Sequence, residues 1–201
     1  MNVHLDASAV YQLDTSGSGC CMNHVVVISG SPSEPSKTSH VLHEVANRLQ
    51  ADCSVDFINV RDLPAEDLLH AKFGSPSIKE ASALVERAEV IIIGSPIYKA
   101  SITGGLKAFL DLLPEGALRG KTVLPLATGG SIAHYLSLDF SLLPVLHTLG
   151  STHLLKPVYV LSSDIHIEDD HLFIQDVDTA ARVDQAVDQI LQGFQSYQKV
   201  N

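Results

Sequence analysis

Short apolar runs and longer amphipathic stretches alternate along the chain from residue 24 onward. Each run is mostly apolar, which is typical of a strand that is covered on both faces of a sheet. The pattern predicts five strands, at residues 24–29, 55–60, 90–94, 122–127 and 154–161.

The stretches between these runs place apolar residues three and four positions apart, which is the spacing of an amphipathic helix. The third stretch ends at Pro114 and the Glu115-Gly116 turn, where a helix stops. Pro144 lies inside the fourth stretch and predicts a kink. The predicted helices are centred on residues 42–49, 78–88, 108–113, 132–149 and 177–194.

Strands that alternate with helices predict an α/β fold with a parallel sheet and right-handed crossovers. Two doubly wound strand orders fit this pattern, the dinucleotide-binding order and the flavodoxin-like order 2-1-3-4-5. Pro125 predicts that the fourth strand lies at an edge of the sheet or contains a bulge, because proline cannot donate a ladder hydrogen bond. Pro157 interrupts the fifth strand in the same way. Both orders place ligands beyond the carboxyl ends of the strands, so we expect the loops after strands one, three and four to carry function.

Composition and charge exclude several classes of protein. The 201 residues are 45% hydrophobic and 18% charged, which excludes general disorder and fits one domain. The formal net charge of −10 argues against a nucleic-acid-binding surface, and no apolar stretch is long enough to span a membrane. The three cysteines have no metal-finger spacing, so we expect thiols in a reducing cytoplasm.

Residues 1–22 differ from the remainder of the chain. They show no sustained period and contain the flexible run Ser16-Gly17-Ser18-Gly19. We interpret them as a disordered or loosely attached extension, with Met22 as an alternative start, and residues 23–201 as a single domain. The adjacent Cys20 and Cys21 are interpreted as two exposed thiols rather than a redox pair.

The loop after the first strand, at residues 29–39, is rich in hydroxyl groups and directly precedes a helix. It contains neither GxGxxG nor GxxxxGK[ST], which disfavours a pyrophosphate fingerprint and a P-loop. Hydroxyls, free backbone N–H groups and the helix dipole together suit a terminal phosphate, and Lys37 adds a charge. The alternative is an ordinary loop in which Ser36 or Thr38 caps the helix.

The loops after strands three and four, at residues 95–105 and 127–131, are rich in glycine. The first contains one aromatic residue, Tyr98, and the second contains Gly129 and Gly130, which permit close backbone approach to a flat ligand. Three such loops at one edge of a sheet predict a site for a phosphorylated planar molecule.

Three segments in these loops carry a family resemblance: GSPSEPSKTS, SPIYKASITGGLKAFLDLLP and LPLATGGSIAH. They resemble, in the same order along the chain, the NADPH-dependent FMN reductases of the flavodoxin-like superfamily. The nearest subgroup is the SsuE-type reductases, which supply reduced flavin to alkanesulfonate monooxygenases. The resemblance implies a flavodoxin-like five-stranded parallel sheet of order 2-1-3-4-5 with helices on both faces.

The resemblance also implies which residues bind FMN. One group surrounds the phosphate, a second lines one side of the isoalloxazine, and a third contacts its other edge. These groups are Ser31, Ser36, Lys37, Thr38 and Ser39; Pro96, Ile97, Tyr98 and Lys99; and Thr128, Gly129, Gly130 and Ser131.

Two positions depart from the family pattern. Ser33 stands where an arginine is frequent, so a cation near the phosphate is expected to be missing. Phe140 stands where the alkanesulfonate subgroup carries a tyrosine in a helix of the subunit interface. The absent hydroxyl is expected to affect oligomer packing or flavin exchange.

The function implied by the resemblance is hydride transfer from NADPH to FMN, with reduced flavin passed to a flavin-dependent monooxygenase. No catalytic side chain is expected, because positioned cofactors carry out the transfer. A homodimer or homotetramer is also implied. The alternatives are a flavodoxin-like FMN-binding electron carrier and a quinone or azo-dye reductase.

Two other features are interpreted as structural. His134 follows the fourth-strand loop and is interpreted as a helix residue without a ligand. Residues 164–171 contain acidic and histidine side chains close together, but no known ligand spacing. We expect a solvated acidic loop there and no metal site.

Overall fold

The computed structural model describes residues 23–168 and 171–198. Strands and helices alternate up to about residue 154, as the hydrophobic pattern predicts, and four short strands then follow one another before the last helix. The strands are β1 (Asn23–Ser29), β2 (Cys53–Asn59), β3 (Val90–Pro96), β4 (Thr122–Gly129), β5 (His153–Leu154), β6 (Val158–Leu161), β7 (Ile165–Glu168) and β8 (His171–Ile174). The helices are α1 (Lys37–Leu49), α2 (Ala65–Leu69), α3 (Pro76–Arg87), α4 (Gly104–Asp111), α5 (Leu143–Thr148) and α6 (Val177–Gln198).

The main sheet has the order β2-β1-β3-β4-β5, with β6 also paired to β4. All of these pairs are parallel. The strand order confirms the flavodoxin-like fold and excludes the dinucleotide-binding order that the pattern alone left open.

The position predicted for Pro125 is wrong, because β4 lies between β3 and the pair β5 and β6. The Val123 carbonyl accepts a hydrogen bond from the Leu155 N–H at 2.9 Å. Backbone groups of every second residue of β4 therefore point toward β5 and β6. Pro125, two positions later, therefore has its ring nitrogen toward the gap between β5 and β6, where Pro157 interrupts the neighbouring strand. No ladder hydrogen bond is required at this point, so a central strand tolerates the proline.

Each face of the sheet buries one apolar layer under helices. One layer joins α1 and α6 to the sheet through side chains such as Leu42 and Ile190. The other joins α3, α4 and α5 through side chains such as Val85, Phe109 and Leu146. These two layers confirm the prediction of helices on both faces.

Two glycines allow helices to approach the sheet closely near the carboxyl ends of its strands. A Cβ atom at Gly94 of β3 would lie 2.8 Å from a methyl carbon of Leu42 in α1. A Cβ atom at Gly30, directly after β1, would lie 2.8 Å from Leu106 in α4. Because these distances are shorter than van der Waals contact, larger side chains at either position would push a helix away from the sheet.

The side chain of Cys53, at the start of β2, is buried, and its thiol is free, as the sequence predicts. Burial raises the pKa of this thiol to about 11, and the carboxylates of Asp52 and Glu89 add to the shift. The group is therefore a protonated, small apolar side chain at neutral pH.

Three local predictions differ from the structure. The helix predicted over residues 132–149 is divided into a 3-10 turn (Ile132–His134), a widened π turn (Leu138–Leu142) and α5, in which Pro144 occupies the first turn. The loop predicted around residues 164–171 contains the strand β7 and the start of β8, which form an antiparallel hairpin. The short helix α2 was not predicted.

The predictions for residues 1–22, which include the extension, Cys20 and Cys21, lie outside the described residues.

Candidate functional site

The loops after β1, β3, β4 and β6 meet at one edge of the sheet and enclose a cleft of about 200 Å³. Most of the site residues predicted from the sequence line this cleft. The predicted residues are Ser31, Ser36, Lys37, Thr38, Pro96, Ile97, Tyr98, Thr128, Gly129 and Gly130, and the additional ones are Ser33, Pro35 and Ser162.

The first wall of the cleft is the loop that leads from β1 into α1. Ser36 is the N-cap of α1, and its hydroxyl accepts a hydrogen bond from the Ser39 N–H at 3.2 Å. The same hydroxyl donates to the Ser31 hydroxyl at 2.7 Å. Within the described residues, the backbone N–H groups of Lys37 and Thr38 have no hydrogen-bond acceptor. The loop therefore presents free donors at the positive end of a helix dipole, beside serine hydroxyls.

Lys37 crosses the mouth of the cleft. Its ammonium nitrogen donates to the Ser162 carbonyl at 2.5 Å, which joins α1 to the turn after β6. Ser162 was not predicted, because it takes part through its backbone carbonyl, which any residue type could supply. The position of Lys37 adds a positive charge at the rim of the cleft.

Ser39 is the one predicted phosphate-group residue outside the cleft lining. Its hydroxyl lies 3.1 Å from the Ser29 hydroxyl at the end of β1. Thr38 extends to the floor of the cleft instead, where its hydroxyl oxygen lies 2.6 Å from that of Thr128 in β4. Both groups are buried, so this hydrogen bond joins the first and third loops in a region without competing water.

The second loop begins where β3 ends and turns sharply at Tyr98. The backbone N–H of Tyr98 donates to the Ser101 carbonyl at 2.9 Å, and the Ser101 N–H returns a bond at 3.1 Å. Lys99 and Ala100 occupy the centre of this turn with φ angles of 51° and 61°, a left-handed conformation that L residues adopt at a cost. Tyr98 faces the cleft and is half exposed, whereas Lys99 does not line the cleft.

Thr103 joins the end of the second loop to the first loop by a hydrogen bond. Its hydroxyl donates to the Gly30 carbonyl at 2.6 Å and caps α4 by accepting from the Leu106 N–H at 3.2 Å. The Thr103 N–H in turn donates to the buried hydroxyl of Ser95 at 3.1 Å. These bonds hold the two loops in a fixed relation under the cleft.

The third loop, Gly129 to Ser131, is held from below by Tyr159 of β6. The Tyr159 hydroxyl donates to the Ser131 carbonyl at 2.7 Å. A Cβ atom at Gly129 would lie 2.0 Å from that hydroxyl oxygen, whereas a Cβ atom at Gly130 would meet nothing within 4 Å. Ser131 is exposed, and its side chain accepts from the Ala133 N–H, so it does not line the cleft. Tyr159 is a functional neighbour that the sequence analysis missed.

A cation lies at the first loop even though Ser33 is not an arginine. Arg61, in the turn directly after β2, donates from Nη1 to the Ser33 carbonyl at 2.5 Å. Arg61 does not line the cleft, so the expectation that a cation near the phosphate is missing stays a prediction. The position of Arg61 after a strand adjacent to β1, at the same edge of the sheet, could have indicated this contact from the sequence.

The donor set fits a mononucleotide. Free N–H groups, hydroxyls and a lysine at a helix N-terminus suit a terminal phosphate, and the exposed phenol ring and the glycine loop flank the space beside it. His134 is half-buried and does not line the cleft.

Among residues 23–168 and 171–198, no group of three or more His, Cys, Asp or Glu side chains is arranged to hold a metal ion. No helix in the same ranges has the length and apolar character needed to cross a membrane.

Comparisons with known proteins agree with this geometry. Residues 23–166 match the model of the NADPH-dependent FMN reductase family. An FMN reductase (NADPH) of Pseudomonas putida is 48% identical over 143 residues, which cover 70% of this chain and 72% of the relative. An FMN reductase (NADPH) of Escherichia coli is 42% identical over 142 residues, covering 70% and 74%.

A solved structure supports the same assignment. The apo form of an NADH:FMN oxidoreductase, EMOB, superimposes with a TM-score of 0.75 at 40% identity, covering 83% of this chain and 87% of that structure. The chain therefore belongs to the NADPH-dependent FMN reductase family of flavodoxin-fold oxidoreductases, which act with FMN and NADPH.

Proposed function

We propose that the protein reduces FMN with NADPH in the cleft at the carboxyl edge of the sheet and supplies the reduced flavin to a partner monooxygenase of sulfonate or sulfur assimilation. The observation that carries the proposal is the convergence of three loops on one cleft that has free backbone donors at the start of α1. An open cleft suits a flavin that must leave after reduction.

FMN, when bound, supplies the redox chemistry, since its ring accepts hydride from the nicotinamide. The chain positions the reactants and excludes water. Ser31, Ser36 and the N–H groups of Lys37 and Thr38 hold the phosphate, and Pro96, Ile97 and Tyr98 line one side of the ring space. Lys99 is too far along its turn to line the cleft, so its proposed role is limited to the conformation of that turn.

The third loop has a separate proposed role. No hydrogen bond in the described part of the chain uses the backbone N–H of Gly130 or Ser131. Of these two residues, Gly130 lines the cleft beside Thr128 and Gly129, and Ser131 does not. The Gly130 N–H is proposed to stabilise negative charge on the reduced ring, because a fixed donor favours a developing charge without reorganising. A side-chain acid or base is not required for this reaction.

The test is oxidation of NADPH, followed by its absorbance, with increasing FMN. We expect saturable oxidation that depends on added FMN. Bound flavin without turnover would instead identify an electron carrier, and oxidation that requires a quinone or azo dye and ignores FMN would identify a reductase of that class. Either result would overturn the proposal.

The supply role requires a second assay. An FMNH2-dependent alkanesulfonate monooxygenase is mixed with this protein, NADPH, FMN, oxygen and an alkanesulfonate, and sulfite release is measured. We expect sulfite to appear only when the reductase is present. Active flavin reduction without sulfite release would contradict the supply role and leave the reductase activity intact.

We also propose that the protein forms a homodimer or homotetramer through the segment after the third loop. Ile132, Leu136 and Phe140 are spaced four residues apart and are 64%, 55% and 79% exposed. Three exposed apolar side chains within nine residues are candidates for burial in a contact, and a second copy of the chain would offer the same side chains.

Phe140→Asp tests the interface. We expect a lower molar mass by light scattering, because a carboxylate cannot be buried in an apolar contact without a large desolvation cost. Phe73→Asp is the matched control, since Phe73 is 62% exposed but lies in the loop between α2 and α3, which is not part of the proposed interface segment. An unchanged mass for Phe140→Asp would rule out this surface.

We propose that residues 23–201 form one domain and that the protein is located in the cytoplasm. The odd number of cysteines and the absence of a CxxC spacing support this location, because extracellular domains usually pair their cysteines in disulfides.

A further inference from the structure

The tip of the loop between β1 and α1 projects from the sheet edge. Pro32, Ser33, Glu34 and Pro35 are all exposed. The base of the loop is held internally, because the Ser33 N–H donates to the Ser31 hydroxyl at 3.3 Å. Within the described chain, the hydrogen bonds and ion pairs that join the tip to another element all come from one side chain, Arg61.

Arg61 holds the tip by two different contacts. Nη1 donates to the Ser33 carbonyl at 2.5 Å, and Nη2 lies 2.9 Å from Oε2 of Glu34. The Arg61 side chain is 21% exposed, whereas that of Glu34 is 78% exposed. The planar guanidinium directs both contacts at once, which a lysine ammonium could not do with the same geometry.

The charges on the loop explain why the two contacts of Arg61 would affect the binding of an anion. Glu34 places a carboxylate on the loop that is proposed to bind a phosphate, and like charges on one loop repel each other. Arg61 offsets that charge from the side of the loop, while Asp62 balances part of the guanidinium through Nε at 3.4 Å. The loop therefore keeps its free donors without exposing an unpaired carboxylate to the ligand.

We infer that Arg61 is a positioning residue for the phosphate of FMN, which holds the Ser33 carbonyl in place and neutralises Glu34. The inference rests on the proposed function. Arg61 would then give the turn after β2 a role in shaping the phosphate loop, whose other residues follow β1.

The first test is Arg61→Gln, with FMN and riboflavin binding measured by quenching of flavin fluorescence. We expect FMN affinity to fall about tenfold, since a hydrogen bond from a charged group is lost. Riboflavin affinity should not change, because riboflavin has no phosphate. In turnover, KM for FMN should rise while kcat at saturating FMN is retained.

Two further variants separate charge from geometry. Glu34→Gln in the Arg61→Gln background should recover part of the FMN affinity, because the unpaired carboxylate is gone. Glu34→Gln alone should bind FMN about threefold more tightly, since Arg61 keeps its bond to Ser33 and loses a competing anion. This single variant changes an exposed side chain and tests the inference even if Arg61→Gln fails to fold.

Arg48→Gln is the matched control. Arg48 pairs with Glu44 and Asp184 near the other end of α1, away from the cleft, and is 41% exposed. Its flavin affinities should equal those of the wild type.

Equal losses of FMN and riboflavin affinity in Arg61→Gln would overturn the inference, because they would indicate a general loss of loop structure. Unchanged FMN affinity in that variant, or weaker FMN binding by Glu34→Gln alone, would also overturn it. If the wild type binds neither flavin, the proposed function itself fails.

Discussion

The two edges of the central sheet use their polar groups in opposite ways. At the amino ends of the strands, His24 Nε2 lies 2.6 Å from Asp56 Oδ2, and the His24 N–H donates to Glu89 at 2.9 Å. The Lys121 ammonium donates there to the Glu86 and Ala88 carbonyls at 2.8 and 2.5 Å. At the carboxyl ends, the Lys37 and Thr38 N–H groups face the cleft without an acceptor in the described chain.

Chain direction explains this difference. In a parallel sheet with crossover helices, helices begin at the carboxyl edge and end at the amino edge. The last carbonyls of the helices therefore lie at the amino edge, where they have no partner within their own helix. Lys121 donates to two such carbonyls at the end of α3. The carboxyl edge collects free N–H groups, which are available to an anion. The amino edge is therefore closed by bonds within the chain, whereas the carboxyl edge leaves donors free for the proposed ligand.

The largest expected effect comes from placing a negative charge at the binding edge. Ser36→Asp keeps a good N-cap for α1, so stability should change little. Its carboxylate occupies the proposed phosphate position, and repulsion of about 4 kcal/mol predicts a loss of FMN affinity of a hundredfold or more. Calorimetric titration measures this loss. Ser36→Asn is the neutral control, and equal affinities of the two variants would contradict a phosphate site at this helix end.

A smaller effect is expected at the third loop. Gly129→Ala should lower FMN affinity about tenfold and stability by roughly 1–3 kcal/mol, because its Cβ would clash with the Tyr159 hydroxyl and displace the loop. Gly130→Ala is the matched control for unfolding stability, since its Cβ would meet no protein atom within 4 Å. Urea unfolding and flavin titration of both variants test the comparison. Equal behaviour of the two would show that Tyr159 does not position this loop.

The smallest effect is expected at the amino edge. Asp56→Ala removes the partner of His24 and should cost about 1 kcal/mol of unfolding free energy, the usual net value of one hydrogen bond. FMN affinity should be unchanged, because this pair lies at the opposite end of the strands. Urea unfolding and flavin titration again give both quantities. A clear loss of flavin affinity would show that the two edges are coupled.

Local patterns predicted those parts of the molecule that depend on neighbouring residues. The apolar run 90–94 forms β3, and the hydroxyl-rich loop before α1 lines the cleft, as predicted. The same reasoning failed at Pro125, since the break in the adjacent strand that tolerates it lies some thirty residues later, around Pro157. It also failed for the hairpin of β7 and β8, because their short alternating pattern resembles a polar loop.

The amino-acid sequence was sufficient to predict the strand and helix types, the edge that carries the site and most of its lining residues. Periodicity and loop chemistry are local properties, and the parallel topology then brings the strand ends together. The contacts that complete the site could be identified only from the tertiary structure. Lys37 reaches a carbonyl 125 residues away, and Arg61 and Tyr159 each reach a loop 28 residues earlier. Which distant groups meet depends on how the layers pack, and no local pattern encodes that.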